Sequence, residues 1–278
     1  HMPGHILSRL KRYNDATWQQ EASARVDHAH MMRDRIMPDR IHNFAHNNEW
    51  LTRNLSQAGR VRRALAMAKN MIELPRLPNV KPDGTWSFPS RSSHSYGRRH
   101  LYAILTGYEL WNEIIKLKDT HYLLPGKSTA EKAKYWRLLA CAYINTDRPE
   151  EGKTLLAKMG SLLNSQQEGK TKAGATAEAK AKKEKKKTRD IKKAKSDAER
   201  PYSTAISTLE RGLAEARMYL ALKTKNLEEA KAQYSKVRDF RSERKALLQL
   251  KFGNQDEAIK LAASAVKSAT EQARPLAA

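Results

Sequence analysis

Apolar residues recur at helical spacing along most of the chain, most clearly in residues 135–159. One apolar face is carried by Trp136, Leu139, Ala140 and Tyr143, and a second by Leu155, Leu156 and Met159. Between them, Asp147, Arg148 and Pro149 predict a tight turn, because proline favours the first turn of a new helix. The stretch therefore predicts a helical hairpin.

Partial copies of this hairpin are predicted on both sides of it. The predicted copies span residues 4–37, 48–71, 101–115, 216–234 and 246–265. In the first copy, a long second helix begins at Asp15 and is stopped by Pro38. In the second, residues 58–60 form the turn. The pattern predicts about six helix pairs.

Two segments interrupt the pattern. Residues 75–97 are rich in proline, serine and glycine, which predicts an irregular loop, with Trp86 and Phe88 expected to pack against the helices. Residues 166–200 are rich in lysine, alanine and glutamate, and Ile191 is their only aliphatic residue larger than alanine. They form either a solvated helical hairpin or a disordered insertion. The expected divisions are 1–165, 166–200 and 201–278, with the array stopping short at its C-terminal end.

The hairpin resembles the tetratricopeptide (TPR) motif, in which large, small and aromatic residues alternate around a turn. The positions of that motif are filled in order by Trp136, Ala140, Tyr143, Gly152, Leu156 and Met159. The position of the small residue in the second helix is filled by Ala16, Ala64, Ile114, Gly152, Ala230 and Ala258 in the successive copies, and Ile114 is larger than the family prefers there. The resemblance implies an all-α, TPR-like α-solenoid of antiparallel helix pairs carrying a lysine-rich insertion.

Charge narrows the class of partner. The chain has 53 Lys and Arg against 30 Asp and Glu, a formal net charge of +23, so acidic proteins and nucleic acids are favoured electrostatically. Residues 168–200 alone hold 13 basic and 6 acidic residues. Cys141 is the only cysteine, which excludes an intramolecular disulfide and a cysteine metal cluster. The absence of a long apolar run or signal segment predicts no membrane association and favours a cytoplasmic location for a fragment of a longer protein.

The resemblance also implies a concave groove lined by the first helix of each pair. Carried over position by position, it places these partner-binding residues in the groove: His5, Arg9, His46, Glu49, Arg53, Gln57, Arg99, Lys134, Arg137 and Asn145. The same positions include His1, Ser8, Tyr96, Thr106 and Cys141. A basic groove of this kind suits an acidic peptide, a carboxylate or a phosphate.

Histidines crowd the first hundred residues and raise the question of a metal site. If one helix begins at His42, then His42, His46 and Glu49 share a face at the spacing of helical metal ligands. If residues 43–45 form a loop, they do not. Interface or capping roles are favoured over a metal site for these histidines, so no metal site is predicted. The segment from His1 to Ile6, with the pair His46-Asn47, is similar to the start of some bacterial TPR proteins, which implies a polar meeting point of two helices.

Catalytic motifs are lacking. The chain has no glycine-rich phosphate loop and no nucleophile elbow, and Ser92, Ser93, His94 and Ser95 are predicted to lie in a loop rather than to form a catalytic pair. The sequence therefore predicts a non-catalytic scaffold that binds an acidic protein or peptide and uses no cofactor. The alternative is a nucleic-acid-associated protein that binds phosphates through residues 168–200, although aromatic residues for base stacking are missing there.

Overall fold

The computed structural model describes residues 1–237 and 240–268, and in these the chain is almost entirely helical. The helices are α1 (Met2–Arg9), α2 (Tyr13–Asp34), α3 (His42–Gln57), α4 (Val61–Glu73), α5 (Ser93–Gly107), α6 (Trp111–Leu117), α7 (Thr129–Asn145), α8 (Pro149–Lys183), α9 (Thr188–Lys223), α10 (Leu227–Tyr234), α11 (Ser242–Lys251) and α12 (Gln255–Ser268). A 3₁₀ helix spans Pro38–Arg40, and strands β1 (Asn79–Val80) and β2 (Trp86–Ser87) form a short antiparallel ribbon. The all-α prediction is confirmed.

The same turn joins most consecutive helices. In this turn, one residue just after the helix takes a left-handed conformation, with φ between 52° and 80°. The N–H of the residue that follows it donates a hydrogen bond to the carbonyl five positions before that N–H, at 2.9–3.1 Å. In the described residues this occurs at Lys11, Arg35, Gly59, Glu109, Asp147, Lys185, Lys225 and Gly253. This six-to-one hydrogen bond satisfies a carbonyl that the helix end leaves open. One local geometry therefore ends eight helices of the described residues, and the turn predicted at Asp147 is among them.

The chain divides into two compact units. The first unit contains residues 1–110 and the described part of 240–278. Within it α1 packs on α2, α2 on α3, α3 on both α4 and α5, α4 on α5, and α11 on α12. Leu51, Leu55, Ala64 and Ile104 form a core between α3, α4 and α5. Gly97 of α5 lies so close to α4 that a Cβ there would be 2.7 Å from the Ala68 carbonyl oxygen.

The second unit contains residues 111–239, of which 111–237 are described. Here α7 packs on α6, α8 and α9, and α9 also packs on α8 and α10. Met159 lies beside Gly212, and Lys195 pairs with Glu178 at 3.2 Å, so α8 and α9 run antiparallel. Residues 166–183 continue α8 and 188–200 begin α9, which is the helical one of the two alternatives for this segment.

The small residues expected in the second helices are buried. Ala16, Ala64, Ile114 and Ala230 are fully buried, and Ala258 is 7 % exposed. Gly152 is buried as well, and a Cβ on it would lie 2.6 Å from Ile144 Cγ1. Close approach of paired helices explains why these positions hold mostly alanine or glycine.

The loop between α4 and α5 is shorter than predicted. Helix α5 begins at Ser93, because Ser92 caps it by accepting a hydrogen bond from the Ser95 N–H at 3.3 Å. The serines predicted to lie in the loop therefore form a helix start. Phe88 contacts Trp86, with ring centroids 5.4 Å apart, and Arg76, whose guanidinium lies 3.8 Å from its ring centre; Trp86 itself is 63 % exposed.

Among the described residues, no helix combines the length and apolar character needed to cross a bilayer.

Candidate functional site

The short helix α1 is fixed against two neighbouring helices. Gly4 is buried against Gln20 of α2, and a Cβ at Gly4 would lie 2.5 Å from Gln20 Nε2. Ser8 donates a buried hydrogen bond of 2.9 Å to Asn54 Oδ1 of α3. Because Gln20 and Asn54 are fully buried, they leave α1 little freedom to shift. His5, between these two contacts in sequence, is thereby held beside α3.

Histidine rings from α1 and α3 meet at this point. The ring centroids are 4.6 Å apart for His1 and His5, 5.1 Å for His5 and His46, and 5.4 Å for His1 and His46. His42 stacks on His46 from the preceding turn at 5.7 Å. Trp50, one turn further along α3, meets the His5 ring edge-on at 4.3 Å. The result is a cluster of imidazoles bordered by an indole.

Glu49 lies at the centre of the charged contacts around this cluster. Its carboxylate pairs with Arg99 of α5, lies 3.5 Å from His46 Nδ1, and lies 3.8 Å from His100 Nε2. Burial by itself would raise the pKa of Glu49, but the adjacent His100 imidazole and the Arg99 guanidinium outweigh it and hold that pKa below its ordinary value. Glu49 therefore stays ionised and ties α3 to α5.

Positive charge surrounds the cluster on several sides. Burial, followed by the like charge of His46 and then more remote cations that include Arg9, lowers the pKa of His5. Arg53 lies over Trp50, with its guanidinium carbon 4.8 Å from the ring centre, and Arg99 lies 5.0 Å from the ring centre of Tyr96. These arginines present planar donors next to aromatic surface.

Six of the ten partner-binding residues predicted from the sequence are linked in this region. We call them the histidine–arginine face: His5, Arg9, His46, Glu49, Arg53 and Arg99. Gln57 is the last residue of α3, the same helix. All seven belong to the first unit.

The three remaining predicted residues belong to the second unit. Arg137 pairs with Glu215, a buried carboxylate of α9. Asn145 donates a 2.8 Å hydrogen bond to the Cys141 carbonyl within α7, and Lys134 lies on the exposed side of the same helix. Arg137 therefore has a structural contact that the repeat pattern did not indicate.

The candidate metal ligands His42, His46 and Glu49 do lie on one helix, because α3 begins at His42. However, Arg91 donates to His42 Nε2 at 2.9 Å, and arginine has no acceptor, so this imidazole nitrogen is occupied. Glu49 is occupied by Arg99. Within residues 1–237 and 240–268, ligand atoms converge instead at His1, His5 and His46, with one nitrogen of each within 4.8 Å of the others.

Sequence reasoning missed several members of the site. Trp50 follows His46 by four residues, so helical spacing alone places it on the same face. By contrast, Arg91 lies in the segment just before α5, and His100 lies in α5 itself. Both follow α3 only after α4, a loop and the β-ribbon. No spacing in the sequence connects them to α3.

Comparisons of the chain with protein-family models, curated proteins and solved structures found no match.

Proposed function

We propose that the protein is a non-catalytic binding scaffold whose histidine–arginine face takes an acidic peptide or protein. One observation carries this proposal: a continuous series of contacts links the cationic and aromatic side chains of this region. Contacts join His5, His46, Trp50 and Arg53 to one another, and Glu49 then connects His46 to Arg99. This series gathers cationic and aromatic groups from three helices around a single carboxylate.

The chemistry of this face favours carboxylates. Arg9 and Arg53 are exposed, and the Arg99 side chain keeps 59 % of its surface in solvent while pairing with Glu49. Guanidinium groups bind carboxylates through two parallel hydrogen bonds, and Trp50 offers a flat apolar surface beside them. An acidic segment that also carries an apolar side chain would satisfy both kinds of contact.

The helix pairs fit a TPR-like repeat array, which is the architecture we propose for the scaffold. Two observations support it: the shared left-handed turn, and the buried residue in each second helix, which is alanine or glycine at every position except Ile114. Because a rigid array presents its side chains at fixed spacing, a partner gains affinity from several modest contacts without ordering the receptor.

A peptide selection tests this function. A phage-displayed library of random decapeptides is selected against the whole chain in EDTA, and the enriched peptides are measured by fluorescence anisotropy. We expect acidic sequences to be enriched. Arg9→Glu/Arg53→Glu should weaken their binding at least ~10-fold, because repulsion replaces attraction at the contact.

The matched control is Arg25→Glu/Arg62→Glu, which changes the net charge equally at exposed arginines of the same unit. It should change affinity less than ~3-fold, since distant surface charges are screened. Enrichment without acidic bias, or equal weakening by both double variants, would contradict the proposal.

A second candidate function rests on residues 168–200, which we call the lysine hairpin. They comprise the end of α8, the turn that follows and the start of α9. Of these residues, all of which the structure describes, only Gly174 and Ala181 are buried. Glu178 and Glu184 neutralise part of the charge through pairs with Lys182, Lys195 and Lys186. The remaining exposed lysines favour binding of nucleic-acid phosphates by charge alone.

A further inference from the structure

The histidine cluster has the geometry of a partly assembled metal site. His1 precedes α1 as its N-cap and His5 lies one turn later, so both rings fall on the same side of the helix. His46 comes from α3, and all three ring pairs are in contact. One nitrogen from each ring lies within 4.8 Å of the others. Three imidazoles bound to one zinc at about 2.0–2.1 Å need only modest rotation of the side chains to close this distance.

We propose that His1, His5 and His46 together bind one divalent transition-metal ion, with zinc as the expected occupant. Imidazole nitrogen suits zinc, nickel and copper, and three protein ligands leave a fourth coordination position for water or a carboxylate. This inference goes beyond the proposed function, because the metal alone is the ligand and no peptide is required.

Aromatic surface borders the three imidazoles on one side. Trp50, one turn after His46 on α3, meets the His5 ring edge-on with the ring centroids 4.3 Å apart. This side of His5 is therefore covered by the indole.

A carboxylate is in place to orient one of the ligands. Glu49 Oε2 lies 3.5 Å from His46 Nδ1, and we assign the opposite nitrogen, Nε2, to the metal. Metal-bound histidines commonly donate their second N–H to a carboxylate, which fixes the tautomer and the ring orientation. Arg99 in turn holds Glu49. Glu49 is thus a positioning residue for His46.

Buried contacts fix α1 against both α2 and α3. Gly4 allows the close approach to Gln20, and Ser8 is hydrogen-bonded to Asn54. Two ligands from α1 and one from α3 are therefore held by buried contacts on either side of His5 before any ion binds, which lowers the ordering cost of binding.

The test uses the whole chain, stripped with EDTA and desalted, and titrated with Zn²⁺ at pH 7.5 in a calorimeter. We expect one ion per chain in wild type. His1→Ala, His5→Ala and His46→Ala should each weaken binding at least ~10-fold, whereas His28→Ala, at an exposed histidine of the same unit, should not. Glutamine variants at positions 5 and 46, checked by circular dichroism, separate loss of a ligand from loss of folding.

Cobalt gives a second readout. Co²⁺ bound by three imidazoles should show visible d–d bands of a four- or five-coordinate ion, and Glu49→Gln should alter these bands and weaken Zn²⁺ binding about 10- to 100-fold. Wild-type affinity in both His5→Ala and His46→Ala would show an ion held by His1 alone and would overturn the proposal. Equal binding by wild type and all the histidine variants would overturn it as well.

Discussion

The guanidinium of Arg137 on α7 pairs with the carboxylate of Glu215 on α9, a residue that is only 3 % exposed. The contact lies between two parallel helices, since Lys223 at the end of α9 pairs with Asp147, in the turn just after α7, at 2.7 Å. Gly212, one turn before Glu215, leaves room for the arginine stem. A residue that the repeat pattern placed in a binding groove therefore holds two helices together.

This pair predicts a strongly asymmetric mutational response. Arg137→Met leaves the Glu215 carboxylate buried without its arginine, so it should lower the free energy of unfolding by roughly 3 kcal/mol. The double variant Arg137→Met/Glu215→Met should recover at least half of that loss, because no buried charge remains. Urea unfolding followed by tryptophan fluorescence measures both values. Equal destabilisation by the single and double variants would show that packing, not charge, dominates there.

The turns show how much of the fold the sequence patterns predict. Gly59 and Gly253 occupy left-handed positions, where glycine is the expected residue. At Lys11, Glu109, Lys185 and Lys225 the same conformation is taken by residues without that signal. Helical periodicity therefore predicted the existence and type of most helices, whereas at these four positions the residue type does not indicate the left-handed conformation that follows the helix.

That conformation gives a second prediction. Lys225→Gly should raise the free energy of unfolding by about 1 kcal/mol, because it removes the steric cost of a left-handed φ of 58°. Lys231→Gly, inside α10, should lower it by about 1 kcal/mol, since glycine disfavours helix interiors. Thermal unfolding of the two variants compares the same substitution in two backbone settings. Destabilisation by both would mean that the Lys225 side chain contributes more than its backbone strain costs.

The site was predictable only in part, for a related reason. His42, His46, Glu49 and Arg53 share α3, so spacing along one helix was sufficient to group them. The partners that determine their chemistry lie outside α3: Arg91 donates a hydrogen bond to His42, and Arg99 forms a salt bridge with Glu49. Contacts across a tertiary interface determine which imidazoles are available, and no periodicity in the sequence encodes them.

The lysine hairpin should respond to pH through Glu178. Hydrogen bonds from Lys182 and Lys195, together with their charges, hold the pKa of Glu178 below its ordinary value of 4.5. The pKa of Glu178 is lower in the folded protein than in the unfolded chain. The ion pairs of the Glu178 carboxylate therefore stabilise the fold above about pH 4.5, and this stabilisation is lost as the pH falls through the folded pKa.

The comparison is between wild type and Glu178→Gln in low salt, using thermal loss of helicity by circular dichroism. Wild type should unfold at the higher temperature at pH 6, and the difference should decrease as the pH is lowered below about 4.5 and should also decrease in 1 M NaCl. A difference that stays constant as the pH falls would assign the effect to packing of the glutamate stem.

Nucleic-acid binding by the lysine hairpin should depend on charge rather than on sequence. Five exposed lysines there can be changed to glutamine with little loss of helix propensity: Lys180, Lys183, Lys187, Lys192 and Lys193. If they bind phosphates, affinity for a labelled 20-base-pair DNA duplex should fall, and the slope of log affinity against log salt should decrease by about 1 for each lysine–phosphate pair that the substitutions remove.

The control makes the same change at five other exposed lysines: Lys127, Lys132, Lys158, Lys236 and Lys251. An equal loss of affinity in both variants would assign DNA binding to the net charge of +23 and remove the hairpin as a distinct site.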